Sequence, residues 1–426
     1  MNVLVRLPNW LGDTVMAVPV LHSLRTGLAP SVRIAAVGPW AWLLADQDLA
    51  DAWVSYPRSW KRRLRALRSV ARLRPDVALV LPNSLESALT ARYWRARRRI
   101  GYDTAGRGIW LTDRLSLPSP RRHQIDEYLG LLAPLGIPPA GAEPALRPPD
   151  GASVREVGEL LGRCGATRAP RVGVHLGAAF GPSKVWLADR IASLCSRLAA
   201  RGVTPLLLGT AADSDLERRV EAGAGATVPS LVGRDRPVLL PALLSRLDAF
   251  VSGDTGTAHL AAALGTPVVT LFGPTDPALS APRGRATVIA KDAPCAPCFL
   301  ARCPIDHVCM QAISVDEVAD AILRAMEQRT VILEGASRRR GAEPGGASQR
   351  PGRANEPRSG QSVISEGASP SPVAEPGGVS QRPGRANEPR SEQSVISEGA
   401  SPSPVAEPGG ASQRPGRANE PRRGEE

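Results

Sequence analysis

Short apolar, β-branched runs, most of them ending in a polar turn with glycine or proline and passing into a helical pattern, constrain this chain most. "NVLVRL" from Asn2 leads into "PNWLGDT" and a helical pattern from about Thr14 to Leu28. "VRIAAVG" from Val32 and "DVALVLPNS" from Asp76 repeat the theme, and "LGIPPAGAEPALRPPDGAS" between Leu135 and Ser153 interrupts it. It then restarts with "RVGVHLG" from Arg171, a helical pattern from Leu187 to about Arg201, "VTPLLLG" from Val203, "DAFVSGD" and "TPVVTLFG". Strands alternating with helices make βαβ units of a parallel sheet, and ligands then sit at the carboxyl ends of the strands. The expectation is α/β, with two Rossmann-like domains facing a cleft: residues 1–150 with the Pro-rich linker, and residues 151–332.

Composition marks where the alternation stops. From about Glu334 a 32-residue unit appears three times, with "SQRPGRANEPR" starting at Ser348, Ser380 and Ser412. The unit holds almost no aromatic or large aliphatic residue, so stacked copies would bury nothing. Residues 333–426 are therefore expected to be a disordered repeat tail. No window of about 18 apolar residues occurs, which argues against a spanning helix. The sequence enters a strand without a charged-then-apolar leader, so a cytoplasmic protein with its six cysteines reduced is expected.

Charge is shared unevenly. Residues 1–150 carry 21 Lys and Arg against 12 Asp and Glu, whereas residues 151–330 carry 19 against 17. The excess gathers in "RSWKRRLRALRSVARLR" (Arg58 to Arg74) and "RYWRARRRIGY" (Arg92 to Tyr102). Leu64, Leu67 and Ala71 recur at helical spacing among Arg62, Arg63, Arg65 and Arg68. A basic helix lying on an anionic membrane has that pattern, and so has a helix whose arginines merely face water. An RNA-binding module is disfavoured because no aromatic-interleaved motif accompanies the arginines.

The densest chemistry lies in "SGDTGTAHLAAALGTPVVTLFGPTDP" (Ser252 to Pro277). A helix opening at the carboxyl end of a parallel strand offers unpaired N–H groups and a positive dipole end. Gly253 and Gly256 let a ligand approach the backbone, Thr255 and Thr257 add hydroxyls, which suits a diphosphate, and His259 can add a donor. A plain helix cap with a packing histidine explains the same residues taken alone. "GAAFGPSKVW" after the opening strand of the second half adds Lys184, one of three lysines against fifty arginines. A compact ammonium in a glycine-rich loop suits a phosphate. No G-x-G-x-x-G follows a strand and no Walker motif occurs, which disfavours a dinucleotide enzyme or a P-loop ATPase.

"LVRLPNWLGDTVMAVPVLHSLR", "LPNSLESAL", "RRRIGY", "HLGAAFGPSKVW", the Ser252–Pro277 stretch and "CAPCFLARCPIDHVCM" follow one another in this order between Leu4 and Met310. In them the sequence resembles glycosyltransferase family 9, the ADP-heptose:lipopolysaccharide heptosyltransferases. The resemblance implies a GT-B fold and inverting transfer from ADP-heptose to a lipid A-linked core oligosaccharide, with no cofactor and no metal. It implies acceptor binding by the first domain and donor binding by the second. Joined to the basic excess of residues 1–150, it leads to the expectation of peripheral contact with the anionic inner-membrane surface and of no nucleic-acid partner. Asp13 is the implied general base; otherwise it caps a helix beginning at Thr14. Lys184, Asp254, Thr255, Gly256, Thr257 and His259 are implied around the donor, and Asn83, Ser84 and Arg99 on the acceptor side. Ala178, Ala179 and Phe180 stand where some relatives have hydroxyl residues, which leaves backbone contacts for phosphate there.

Cys295, Cys298, Cys303 and Cys309 give C-x2-C-x4-C-x5-C. Four thiols so close can hold zinc or an iron–sulfur cluster, although the loop is short for wrapping a metal. A different GT-B sugar-nucleotide enzyme, such as an epimerase, shares the donor side and needs another acid–base set.

Overall fold

A computed structural model describes residues 1–57, 67, 68, 70–234 and 236–341, with side chains through Arg329. The repeats and most of the Arg58–Arg74 run, including Arg62, Arg63 and Arg65, lie outside the described residues. Arg68 is exposed, and Leu67 packs against the core. Chain contacts set residues 1–346 apart as one compact unit.

This unit holds two wholly parallel sheets. The first comprises β1 (Asn2–Arg6), β2 (Arg33–Gly38), β3 (Ala52–Ser55), β4 (Val77–Val80), β5 (Arg98–Tyr102) and β6 (Asp113–Leu115), in the order β3-β2-β1-β4-β5-β6. The second comprises β7 (Arg171–His175), β8 (Thr204–Leu208), β9 (Ala249–Gly253), β10 (Val268–Phe272) and β11 (Ala286–Ala290), in the order β11-β10-β9-β7-β8. β4, β9 and β10 are buried along their whole length, as strands covered on both faces must be. Strand order reverses between β1 and β4 and between β7 and β9, and a doubly wound sheet opens its ligand crevice at such points.

Helices cover the sheets through regular apolar stripes. In Ala188–Ala200, Ile191, Ala192, Leu194, Cys195 and Leu198 are buried at helical spacing, while Arg190 and Arg197 keep to more exposed positions. The Pro-rich linker has no regular element between Gly136 and Gly151, and it is strapped down where Leu146 N–H donates to the Ala263 carbonyl at 2.8 Å. The last helix runs Val315–Gly341, past the residue-333 boundary suggested by composition. Among the described residues no helix is long and apolar enough to cross a membrane.

One element differs from the sequence expectation in a way that matters for the site. The helix after β1 begins at Leu11, three residues before Thr14, and a second helix follows from Val18 to Gly27. Pro19, in the first turn of the second helix, has no N–H to continue the ladder. Trp10 is the N-cap residue and makes no side-chain cap bond, so Asp13 lies within the first turn. Asp13 is therefore not the cap of a helix starting at Thr14.

Candidate active site

The turn after β1 and the turns after β7, β9 and β10 converge across the two sheets. Lys184 and Asp254, 70 residues apart, meet in the second half with Lys184 Nζ 2.5 Å from Asp254 Oδ2. Both side chains are about nine-tenths buried. Thr275, from the turn after β10, donates its hydroxyl to the same Asp254 oxygen at 2.9 Å. The ammonium also lies 4.6 Å from the centroid of the Phe180 ring, so the apolar residue in the glycine loop holds the cation by its π face. One of three ammonium protons serves Asp254, and the others can face an anion.

Asp254 is thus a partner of the lysine and not a helix cap. The Gly256–Ala263 helix takes Thr255 as N-cap residue without a side-chain cap bond. Thr255 Oγ1 instead pairs with Thr257 Oγ1 at 2.7 Å and with Ser252 Oγ at 3.1 Å. The amides of the first turn consequently lack the usual side-chain acceptor, and the dipole end beside Lys184 favours negative charge.

The first half meets this cradle backbone to backbone. A Cβ placed on Gly12 would lie 2.9 Å from His259 Cδ2 and 3.2 Å from Gly256 Cα. One placed on Gly256 would lie 2.8 Å from both Gly12 N and Leu11 Cβ. Two helix starts can approach so closely only because both positions are glycine. Arg283 adds a bidentate pair with Asp126 at 2.7 and 2.5 Å, and His123 Nε2 contacts the Ala281 carbonyl at 2.9 Å. Gly12→Ala should therefore push the two helix starts apart. Turnover is expected to fall by about 10- to 100-fold while the dissociation constant for ADP, the nucleotide that the resemblance implies, stays within about threefold by calorimetry. Unchanged turnover would show that this contact does not set the working distance.

Burial and charge tune the groups at this junction. Desolvation, with a smaller push from Asp254, raises the Asp13 carboxyl to about 6, although Lys184 pulls it the other way. Burial pushes the His259 imidazole down to about 4, so it is neutral at pH 7. Tyr128, 4 % exposed, has its phenol raised by burial and then by the Asp13 charge. A carboxylate poised near 6 is ionised at neutral pH yet basic enough to take a proton.

Asn83 and Ser84 lie just past β4 at the same sheet edge, tied into a network around the buried Arg107. Arg107 donates to Asn83 Oδ1 at 3.1 Å and to Ser87 Oγ at 3.2 Å, and Ser84 caps the Leu85–Tyr93 helix. Burial lowers the Arg107 guanidinium to about 10, still protonated at pH 7. Arg99 does not join them. It is the second residue of β5, in register with Ala78, and its guanidinium donates to the Trp110 and Ala96 carbonyls at 2.7 Å each. The sequence reading missed Phe180 as a lysine partner, Gly12, Tyr128 and Thr275; only the paired glycines of "GDT" and "DTG" hinted at a close approach.

The four clustered cysteines are free thiols. Cys295 is exposed, Cys298 and Cys303 are half-buried, and Cys309 is buried. Burial, with a smaller push from the other three thiols, raises the Cys309 thiol. Among the described residues no group of three or more His, Cys, Asp or Glu side chains is arranged to hold a metal. Cys309 points inward, its Sγ 3.0 Å from where a Cβ on Gly273 would lie.

Two Rossmann-like parallel sheets with the carboxyl ends of their strands turned to one cleft constitute the GT-B architecture of sugar-nucleotide glycosyltransferases. Residues 63–309 match glycosyltransferase family 9 (heptosyltransferase), and the chain belongs to that family. Lipooligosaccharide heptosyltransferase 2 of Haemophilus influenzae is 28% identical over 307 residues, covering 68% of this chain and 88% of its own. Lipopolysaccharide heptosyltransferase 2 of Escherichia coli K12 is 28% identical over 306 residues, covering 66% and 85%. Among solved structures, a family 9 glycosyl transferase from Veillonella parvula superposes with a TM-score of 0.66 at 20% identity, over 77% of this chain and 97% of that one. The E. coli ADP-heptose lipopolysaccharide heptosyltransferase II superposes with a TM-score of 0.63 at 24% identity, over 78% and 100%.

Proposed function

We propose that this glycosyltransferase moves heptose from ADP-heptose to the inner-core region of a lipopolysaccharide precursor, with inversion at the anomeric carbon. The observation that carries the reading is the placement of Asp13, with its raised pKa, against a cradle of Lys184, the Gly256 helix start and His259. Inversion needs one base on the side opposite the leaving group. Asp13 takes the acceptor hydroxyl proton as that oxygen attacks the anomeric carbon and the bond to the ADP oxygen breaks. Charge developing on the departing ADP is met by the Lys184 ammonium and the helix amides. Asn83 and Ser84 supply polar groups on the acceptor side, while Arg99, bonded elsewhere, is left out of this role.

The basic excess of the first 150 residues (21 Lys and Arg against 12 Asp and Glu) supports a peripheral position on an anionic, cytoplasmic membrane face, where the lipid-linked acceptor resides. The test presents ADP-heptose with lipid A precursors of increasing core length in anionic vesicles and follows products by mass spectrometry. The expected result is one added heptose per acceptor, unchanged by a chelator, with cosedimentation that salt reverses. Release of heptose to water alone, or an epimerised sugar nucleotide without transfer, would refute the assignment.

A further inference from the structure

The turn that carries Asp13 also carries aromatic surface that neither the proton transfer nor the donor cradle uses. Trp10 is 42% exposed at the N-cap, three residues before Asp13, and Trp42 is 37% exposed in the short 3-10 helix Ala41–Gln47 that follows β2. Trp94 and Trp186, by contrast, are buried, at 1% and 5% exposed. The two segments are splinted together. Arg6 donates to Asn9 Oδ1 at 2.9 Å, and the Trp40 indole N–H donates to the Asn9 carbonyl at 3.2 Å. Trp40 in turn packs against Trp42, with ring centroids 6.0 Å apart and planes tilted by 41°. The polar handle of Trp40 is thereby occupied by protein while the ring pair is held beside the Asp13 turn.

We propose that Trp10 and the Trp40–Trp42 pair form an aromatic wall for the acceptor, taking the C–H face of a pyranose ring next to the hydroxyl that attacks. This rests on the transfer reading above and names how its acceptor is held. A sugar ring presents hydroxyls at its rim and C–H bonds on its face. An indole covers that face without demanding hydrogen bonds, and a large rigid ring loses little conformational freedom in doing so. The wall continues directly from the Asp13 turn, and it lies in the half that does not carry the Lys184–Asp254 cradle. Carbohydrate is thus its occupant by position. Interfacial tryptophans can also anchor a protein in lipid headgroups, and the test separates that outcome.

Kinetics should be measured on the full chain with a core oligosaccharide freed of its lipid, so that no membrane contributes. Trp10→Ala and Trp42→Ala are each expected to raise acceptor KM by about tenfold, with kcat within about threefold and ADP affinity unchanged. Trp42→Phe should recover most of the loss, since a ring face remains. Titrating the oligosaccharide should perturb the tryptophan emission of the native protein, and the Trp10→Phe/Trp42→Phe double variant, which keeps Trp40 alone in the wall, should lose most of that response. Unchanged KM in both alanine variants would overturn the wall, as would an effect confined to vesicle-borne acceptor. No perturbation of the native emission at saturating oligosaccharide would overturn it as well. If the native protein transfers no heptose at all, the transfer reading falls. If it transfers normally and the variants match it, only the wall falls.

Discussion

Asp13→Asn is expected to lose about two to four orders of magnitude in kcat while ADP binding, measured by calorimetry, is retained. Asparagine keeps the shape of the side chain and cannot accept the acceptor proton, so the loss falls on the chemical step. The same substitution should make the protein more stable. A carboxyl raised from 3.8 to about 6 on folding binds its proton more tightly in the native state. Its ionisation therefore costs stability progressively as pH rises from about 4 to 6, and the cost is complete above 6. Removing the charge should raise Tm at pH 8, by the equivalent of about 1–3 kcal/mol. Inactive yet stabilised is a signature that a helix cap would not give, since losing a cap lowers stability. Near-normal turnover in this variant would exclude the base role.

Lys184→Ala is the second large effect. Charge-assisted hydrogen bonds contribute about 1.5–3 kcal/mol each, so ADP affinity should fall by roughly 10- to 150-fold. Asp254 would be left buried without its cation, and breaking a buried pair from one side costs about 3–5 kcal/mol. A drop in Tm is therefore expected alongside the drop in affinity, and the two must be separated. The Lys184→Ala/Asp254→Ala double variant removes the stranded charge; its Tm should recover substantially while ADP affinity stays low. If the double variant regained ADP binding, Lys184 would be a structural partner of Asp254 and no phosphate ligand.

Much of this architecture was legible because strands buried on both faces read as continuous apolar runs. "VLV", "VALV" and "VVTLF" stand out against their polar turns, and the turns fall where a doubly wound sheet opens. Less legible was whatever depends on long-range register. Nothing in "GAAFGPSKVW" says that Lys184 closes on an aspartate 70 residues later, or that Phe180 lies beside its ammonium. The glycines of "GDT" and "DTG" permit the Gly12–Gly256 contact, but nothing local to either says that the two halves meet there. Arg99 came to the acceptor side from the resemblance alone, and no local pattern in "RRRIGY" says that its guanidinium turns to the Trp110 and Ala96 carbonyls. The helix start at Leu11 was missed because Trp10 gives no capping signal.

The pH dependence of kcat/KM, which reports the ionisation of the free enzyme, tests the central assignment most directly. With Asp13 as the base, activity should fall about tenfold per unit below a midpoint near 6. That midpoint should move up in Lys184→Met, because Lys184 lowers the Asp13 pKa, and down in Asp254→Asn, because Asp254 raises it. A profile flat to pH 4.5, or an acid limb that persists unchanged in the residual activity of Asp13→Asn, would contradict the account.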